Sequence, residues 1–442
     1  MRKQNYSSVL PNLAKNSFAM MAGMLSILSF DMADTFYISM LGKDSLLAVS
    51  YATPFTQTLL SITIGLTISV SIIQERLLDP DNLLRFRQFS INAAIITIFL
   101  SLFIFVLLKL FLPTLSVTVD EDPLIQSLVY DYMHFWLLGY PAFSLLVILN
   151  QTIRSRGSAR FASQVLIMTA ILNITLDPIF IFHFNLGISG APISSLVSFL
   201  FGILISVHHL ITKGSILNAT KLKWLELLDN AKKLAKRSTY ISASVMIDPI
   251  IMAVLILLAA NISTSTVAAV TIGIKIDLFL RIFSLSISRV IPTLFGYYIR
   301  SGKIKCAILT VKAASLVNCI IYFPTAGILA VFSHDLAAIF TDEPDVLALS
   351  SFYLLVVPIS YAFKGLSIAI FQYFHCIDKS AFATLININL SMVIIATTYI
   401  GYYLDNEHGL IIGYSSGCIA YGLSMLLLFN NSLIKRSYLS LK

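Results

Sequence analysis

Twelve apolar windows, each long enough to cross about 30 Å of hydrocarbon, begin near residues 14, 46, 88, 125, 161, 188, 238, 265, 308, 347, 382 and 409. They restrict the chain to an all-α bundle of membrane-spanning helices, because in lipid every backbone N–H and C=O must be paired within its own segment. Composition agrees, with 57% hydrophobic and 12% charged residues against the roughly 25% charged of a soluble domain. The net charge of +8 does not point to nucleic acid: the basic residues sit in short loops, with no patch interleaved with aromatics. Cys306, Cys319, Cys376 and Cys418 have no metal-ligand spacing, so neither a disulfide framework nor a metal site is expected. Arg2 and Lys3 precede no cleavable leader pattern, and the first apolar segment is expected to remain a helix.

Lys/Arg asymmetry between alternate loops sets orientation. One side collects Arg2 and Lys3, Arg76, Arg85 and Arg87, Arg154, Arg156 and Arg160, the run from Lys213 to Arg237, Arg300, Lys303 and Lys305, Lys379, and Lys435 and Arg436. The other carries Asp120-Glu121-Asp122, Asp342-Glu343, Asp405 and Glu407. The first is expected to face the cytoplasm, with both termini inside and the chain in the inner (plasma) membrane. Features recur 221 residues apart: Pro123 and Pro344, Tyr140 and Tyr361, Gln151 and Gln372, Ala48-Val49 and Ala269-Val270. The chain is therefore expected to be a parallel repeat of two six-helix bundles, 1–212 and 238–442. The basic stretch 213–237, with Trp224 and Leu225, is expected as a linker helix on the inner leaflet.

Ionisable residues inside spanning helices are costly and usually face a bundle interior or an ion path. Asn173 and Asp177 stand four residues apart, on one helical face, and Pro178 leaves the carbonyl of Ile174 without its usual donor. Counting from the helix ends puts Asp34, Tyr132 and Ser195 at the depth of Asp177, with Asn173 one turn deeper and Asp31 one turn from Asp34. Two carboxyl groups among such partners could share a proton or hold a small cation; the alternative is a static hydrogen-bond cluster. Asp34, Asn173 and Asp177 correspond to Leu255, Ile394 and Thr398 in the second half, so this set belongs to the first half alone. The second half embeds Asp248, Lys275, Asp277, Arg281, Arg289 and Lys364. Asp277 and Arg281 are spaced for an ion pair within one helix. Lys275 and Lys364 are expected either to be neutralised by Asp248 or another acid or to meet substrate, with Tyr37 and Phe143 as further cleft candidates.

Asp34-Thr35-Phe36-Tyr37-Ile38-Ser39-Met40-Leu41-Gly42 with Leu47-Ala48-Val49-Ser50, and Arg154-Ser155-Arg156-Gly157 with Asn173-Ile174-Thr175-Leu176-Asp177-Pro178, resemble signatures of the multidrug and toxic compound extrusion (MATE) family. Ala268-Ala269-Val270 through Ser301-Gly302 extends the match into the second half, and the pattern is similar to the DNA-damage-inducible subgroup. The resemblance implies a coupling site at Asp34, Asn173 and Asp177, with Tyr132, Asn150 and Ser195 nearby. Phe18 lies where the family's first helix usually carries a proline, and Gln74-Glu75-Arg76 replaces a Gly-rich end of helix 2. The function expected is proton-coupled export of amphipathic organic cations by alternating access, with sodium as the alternative ion and no other cofactor. The protein is expected to act as a monomer among membrane lipids. A lipid-linked saccharide flippase is the rival within transporters. A membrane-embedded enzyme is the rival from another class, although the seven histidines form no catalytic set.

Overall fold

The computed structural model describes residues 9–78, 83–118, 122–212 and 224–430, which are almost wholly helical. The helices are α1 (Val9–Ser39), α2 (Lys43–Leu77), α3 (Leu83–Thr118), α4 (Pro123–Ser155), α5 (Ala159–Pro178), α6 (Gly190–Thr212), α7 (Trp224–Ala260), α8 (Thr264–Arg300), α9 (Ile304–Val331), the short α10 (Ser333–Ala338), α11 (Pro344–Cys376) and α12 (Ser380–Asn430). Eleven are long and apolar enough to cross a membrane. The eleventh, α12, breaks at Asp405 and at Asn406, where φ is +39°, and becomes a hairpin of two limbs. Twelve crossings result, as the apolar windows predict. Backbones touch between the limbs: a Cβ on Gly409 would lie 2.1 Å from the Gly401 carbonyl oxygen, and one on Gly413 2.3 Å from that of Thr397. Only glycine permits that approach.

Helix boundaries follow local chemistry. Asp122 caps α4 by accepting from the Leu124 N–H at 2.8 Å, with Pro123 at the first helical position. Ser263 caps α8 in the same way through the Thr266 N–H at 3.0 Å. The starts at Lys43, Leu83, Pro123 and Ala159 recur at Thr264, Ile304, Pro344 and Ser380, each 221 residues on. Even the exit from α4 is repeated: Ser158 N–H to Ile153 O matches Lys379 N–H to Phe374 O, around left-handed Gly157 and Asp378.

Packing divides the chain into two units, Ala19–Ser242 and Met1–Phe18 with Ala243–Lys442, so the divisions fall inside α1 and α7. In the first unit α4 is central, buried from Ile125 to Ser155, and Tyr132, Met133 and Leu137 pack with Ile38, Leu112, Ile188 and Ala191. In the second unit its counterpart α11 is central, with Ser360–Cys376 almost continuously buried. A helix apolar all round belongs inside a bundle. One expectation changes. Residues 213–223 lie outside those described, but 224–237 is no separate linker helix: it forms the first turns of α7, and Leu234 is fully buried against Leu66, Val70, Phe89 and Ile148. Apolar burial on that face outweighs the basic character of the stretch.

Candidate functional site: a carboxyl pair and a charge triad

The helical spacing of α5 brings Asn173 and Asp177 onto one buried face, 1% and 0% exposed. Ordinary α-helix stops at Pro178, which cannot donate, and a wide π turn over Ile179–His183 follows. The chain then re-enters through α6, whose successive hydroxyls Ser194 and Ser195 point about 100° apart and serve two different helices. Ser194 hydrogen-bonds Asp177 Oδ1 on α5, while the Ser195 hydroxyl donates to Asp34 Oδ2 on α1 at 3.3 Å. Asn173 Nδ2 binds both serine oxygens at 3.1 Å and Asp177 Oδ1 at 3.3 Å.

Ser195 links the two carboxyl groups: its hydroxyl donates to Asp34 Oδ2 while its oxygen accepts from Asn173 Nδ2, which also donates to Asp177 Oδ1. Ionised carboxylates only accept hydrogen bonds, and both carboxyl groups draw on the same few donors, Asn173 Nδ2 and the two serine hydroxyls. No cation pairs with Asp177 among the described residues. The cluster thus gathers two carboxyl groups around one amide and two hydroxyls that orient them.

The structure brings Asp34, Asn173, Asp177 and Ser195, all singled out in the sequence, into one hydrogen-bonded set, and adds Ser194. A serine in an apolar helix commonly bonds back to its own backbone, and Ser194 also reaches the Ala191 carbonyl at 2.8 Å. Only the three-dimensional neighbour gives it a second role. Tyr132 is buried in the apolar cluster of α4 described above. Asn150 does not join the pair: its Nδ2 donates to Ala162 O and its Oδ1 accepts from Arg154, both at 2.9 Å. It ties the last turns of α4 to the first turn of α5, about 20 Å along α5 from Asp177 at 1.5 Å per residue. The side chain of Asp31 lies outside those described. Tyr37 packs edge-on to Phe182 and Phe143 against Phe199, both as parts of aromatic clusters in the first unit.

The second unit holds a different arrangement. Asp277 and Arg281 do not form the intrahelical pair that their spacing predicts. Arg281 Nη2 instead donates to Asp248 Oδ2 at 2.8 Å, and Lys364 Nζ lies 2.9 Å from Asp248 Oδ1. Asp277 Oδ2 accepts from the hydroxyls of Tyr353 at 2.7 Å and Tyr361 at 2.5 Å. Of the two alternatives for Lys364, the structure pairs it with Asp248, whereas Lys275 is exposed.

The MatE family profile matches residues 19–179 and 241–400. The chain is 30% identical over 412 residues to a protein of Shewanella oneidensis described as an FAD transporter, covering 91% of this chain and 88% of that one. It is 22% identical over 410 residues to the multidrug export protein MepA of Staphylococcus saprophyticus, covering 89% and 87%. The crystal structure of the Vibrio cholerae MATE transporter VcmN in the bent form superposes with a TM-score of 0.90 at 23% identity, over 98% and 99% of the two chains.

Proposed function

Because the chain belongs to the MatE family, we propose that this multi-pass membrane transporter is a secondary active exporter driven by proton return through Asp34 and Asp177. It is a MATE-type transporter and not an enzyme. The observation that carries the coupling reading is that Asp34 and Asp177 share one ring of amide and hydroxyl groups, supplied by Asn173, Ser194 and Ser195. Asn173 turns its Nδ2 toward three oxygens, an arrangement that suits a bound proton better than a sodium ion, whose ligands are oxygens. Transport follows from differential binding: the proton favours one state, the solute the other, and each displaces the population toward its own. The distribution of Lys and Arg between loops supports cytoplasmic termini in an inner (plasma) membrane.

Amphipathic organic cations are the first solute class, supported by the acidic pair and by the multidrug relatives. A second class, flat aromatic anions, is favoured by Arg281 and Lys364 embedded in the second unit and by the relative described as an FAD transporter. Everted membrane vesicles with an imposed proton or sodium gradient test the coupling. Ethidium accumulation should follow the proton gradient alone and be lost in Asp34→Asn, which removes the titrating group and keeps its shape. Accumulation by Asp34→Asn at the parent rate would show that the pair is merely structural.

A further inference from the structure

The charge triad of the second unit is left unused by proton coupling. Asp248 of α7 lies between Arg281 of α8 and Lys364 of α11, and exposure is graded across the three side chains: 34% for Asp248, 17% for Arg281 and 7% for Lys364. The carboxylate is the most exposed of the three and bridges two less exposed cations. Arg281 carries five N–H donors and Lys364 three, so one carboxylate leaves much of their capacity unmet. The other acid of the region, Asp277, is engaged through Oδ2 by Tyr353 and Tyr361 rather than by either cation.

We propose that Asp248 is a built-in stand-in for an anionic group of the transported solute, which displaces it from Arg281 and Lys364. The site takes a phosphate or carboxylate borne by an organic molecule, since a guanidinium fork and an ammonium together match such oxygens. This deepens the second solute class above and rests on it. Two bare cations inside an empty carrier would be strongly disfavoured, and Asp248 satisfies them until the solute arrives. The backbone is built for such an exchange. Pro249 follows Asp248 and has no N–H for the carbonyl of Val245, which loosens α7 at that turn. One turn earlier α7 is held fast: Asn387 Nδ2 of α12 donates to Ser244 O at 2.9 Å and contacts Ser244 Oγ at 2.8 Å, while the Tyr421 hydroxyl fixes Asn387 Oδ1 at 2.5 Å. The carboxylate can swing aside without unseating the helix.

Flavin mononucleotide and riboflavin differ by one phosphate, and their equilibrium binding to the full-length protein in detergent, read by flavin fluorescence quenching, tests the site. The parent protein should prefer the mononucleotide. Asp248→Asn removes the competing charge and should tighten the mononucleotide about tenfold while leaving riboflavin unchanged. Lys364→Gln should weaken the mononucleotide and narrow the preference. An ordinary structural triad gives the opposite sign for Asp248→Asn, so weaker mononucleotide binding there overturns the proposal. Equal affinity of the parent for the two flavins overturns it without any variant, whatever the folding of Asp248→Asn. If phosphatidylglycerol in mixed micelles is what Asp248→Asn binds more tightly, the cations serve a lipid headgroup and the solute site is likewise overturned. Preference for the mononucleotide without its gradient-driven export supports the site and sinks only the transport reading on which it rests.

Discussion

At Asn173 a single side chain serves three oxygen acceptors on two helices, with only two hydrogens to share among them. Asn173→Ala would leave Asp177 and both serines short of a donor in a buried setting, at a cost of about 1–3 kcal/mol. A lowered melting temperature in detergent, together with loss of proton-driven export, is the expected outcome; unchanged melting would mean that Ser194 and Ser195 hold the carboxyls unaided. The three residues of the pair and its amide were legible in the sequence because each is conspicuous in an apolar run. Ser194 was not, since serine is tolerated in such helices anywhere its hydroxyl can bond back. The Asp277–Arg281 spacing misled for a related reason: periodicity reports neighbours on one helix, while Arg281 finds its partner 33 residues away on α7.

Among the elements, the α12 hairpin carries the closest backbone approach between its own limbs. Gly409→Leu would drive its side chain into the Gly401 carbonyl and force the limbs apart, costing about 1–3 kcal/mol or more. Gly327→Leu on α9 is the control, because a Cβ there meets nothing within 4 Å. Thermal unfolding of the two variants in detergent should separate them clearly, and equal melting temperatures would contradict a tightly closed hairpin. Apolar windows located both limbs, and turn chemistry explains their break at Asp405 and Asn406. The same windows placed the start of helix 7 near 238, because hydropathy averages over a stretch whose buried residue, Leu234, is surrounded by lysines. Nor does hydropathy register the π turn after Pro178, a change of winding without a change of polarity.

For the molecule as a transporter, proton and solute must oppose one another. Linkage makes the antagonism reciprocal, typically 5–150-fold, so solute affinity should rise with pH through the titration of the Asp34–Asp177 pair and lie flat in Asp34→Asn. Equilibrium binding of ethidium to the purified protein across a pH series measures it, and a flat parent curve would remove the proton from the coupling. The matched helix starts have a bearing on ancestry. An inserted or deleted residue within a spanning helix turns everything beyond it by about 100° and would present its polar side to lipid. From Lys43 to Ala159 and from Thr264 to Ser380 the two copies have kept step, while Asp177 faces Thr398 across the alignment and Lys364 faces Phe143. Length was kept and chemistry was released: the first copy holds Asp34 and Asp177 among hydroxyls and an amide, the second sets Asp248 and Asp277 beside Arg281 and Lys364, on a scaffold that could change its side chains but not its count.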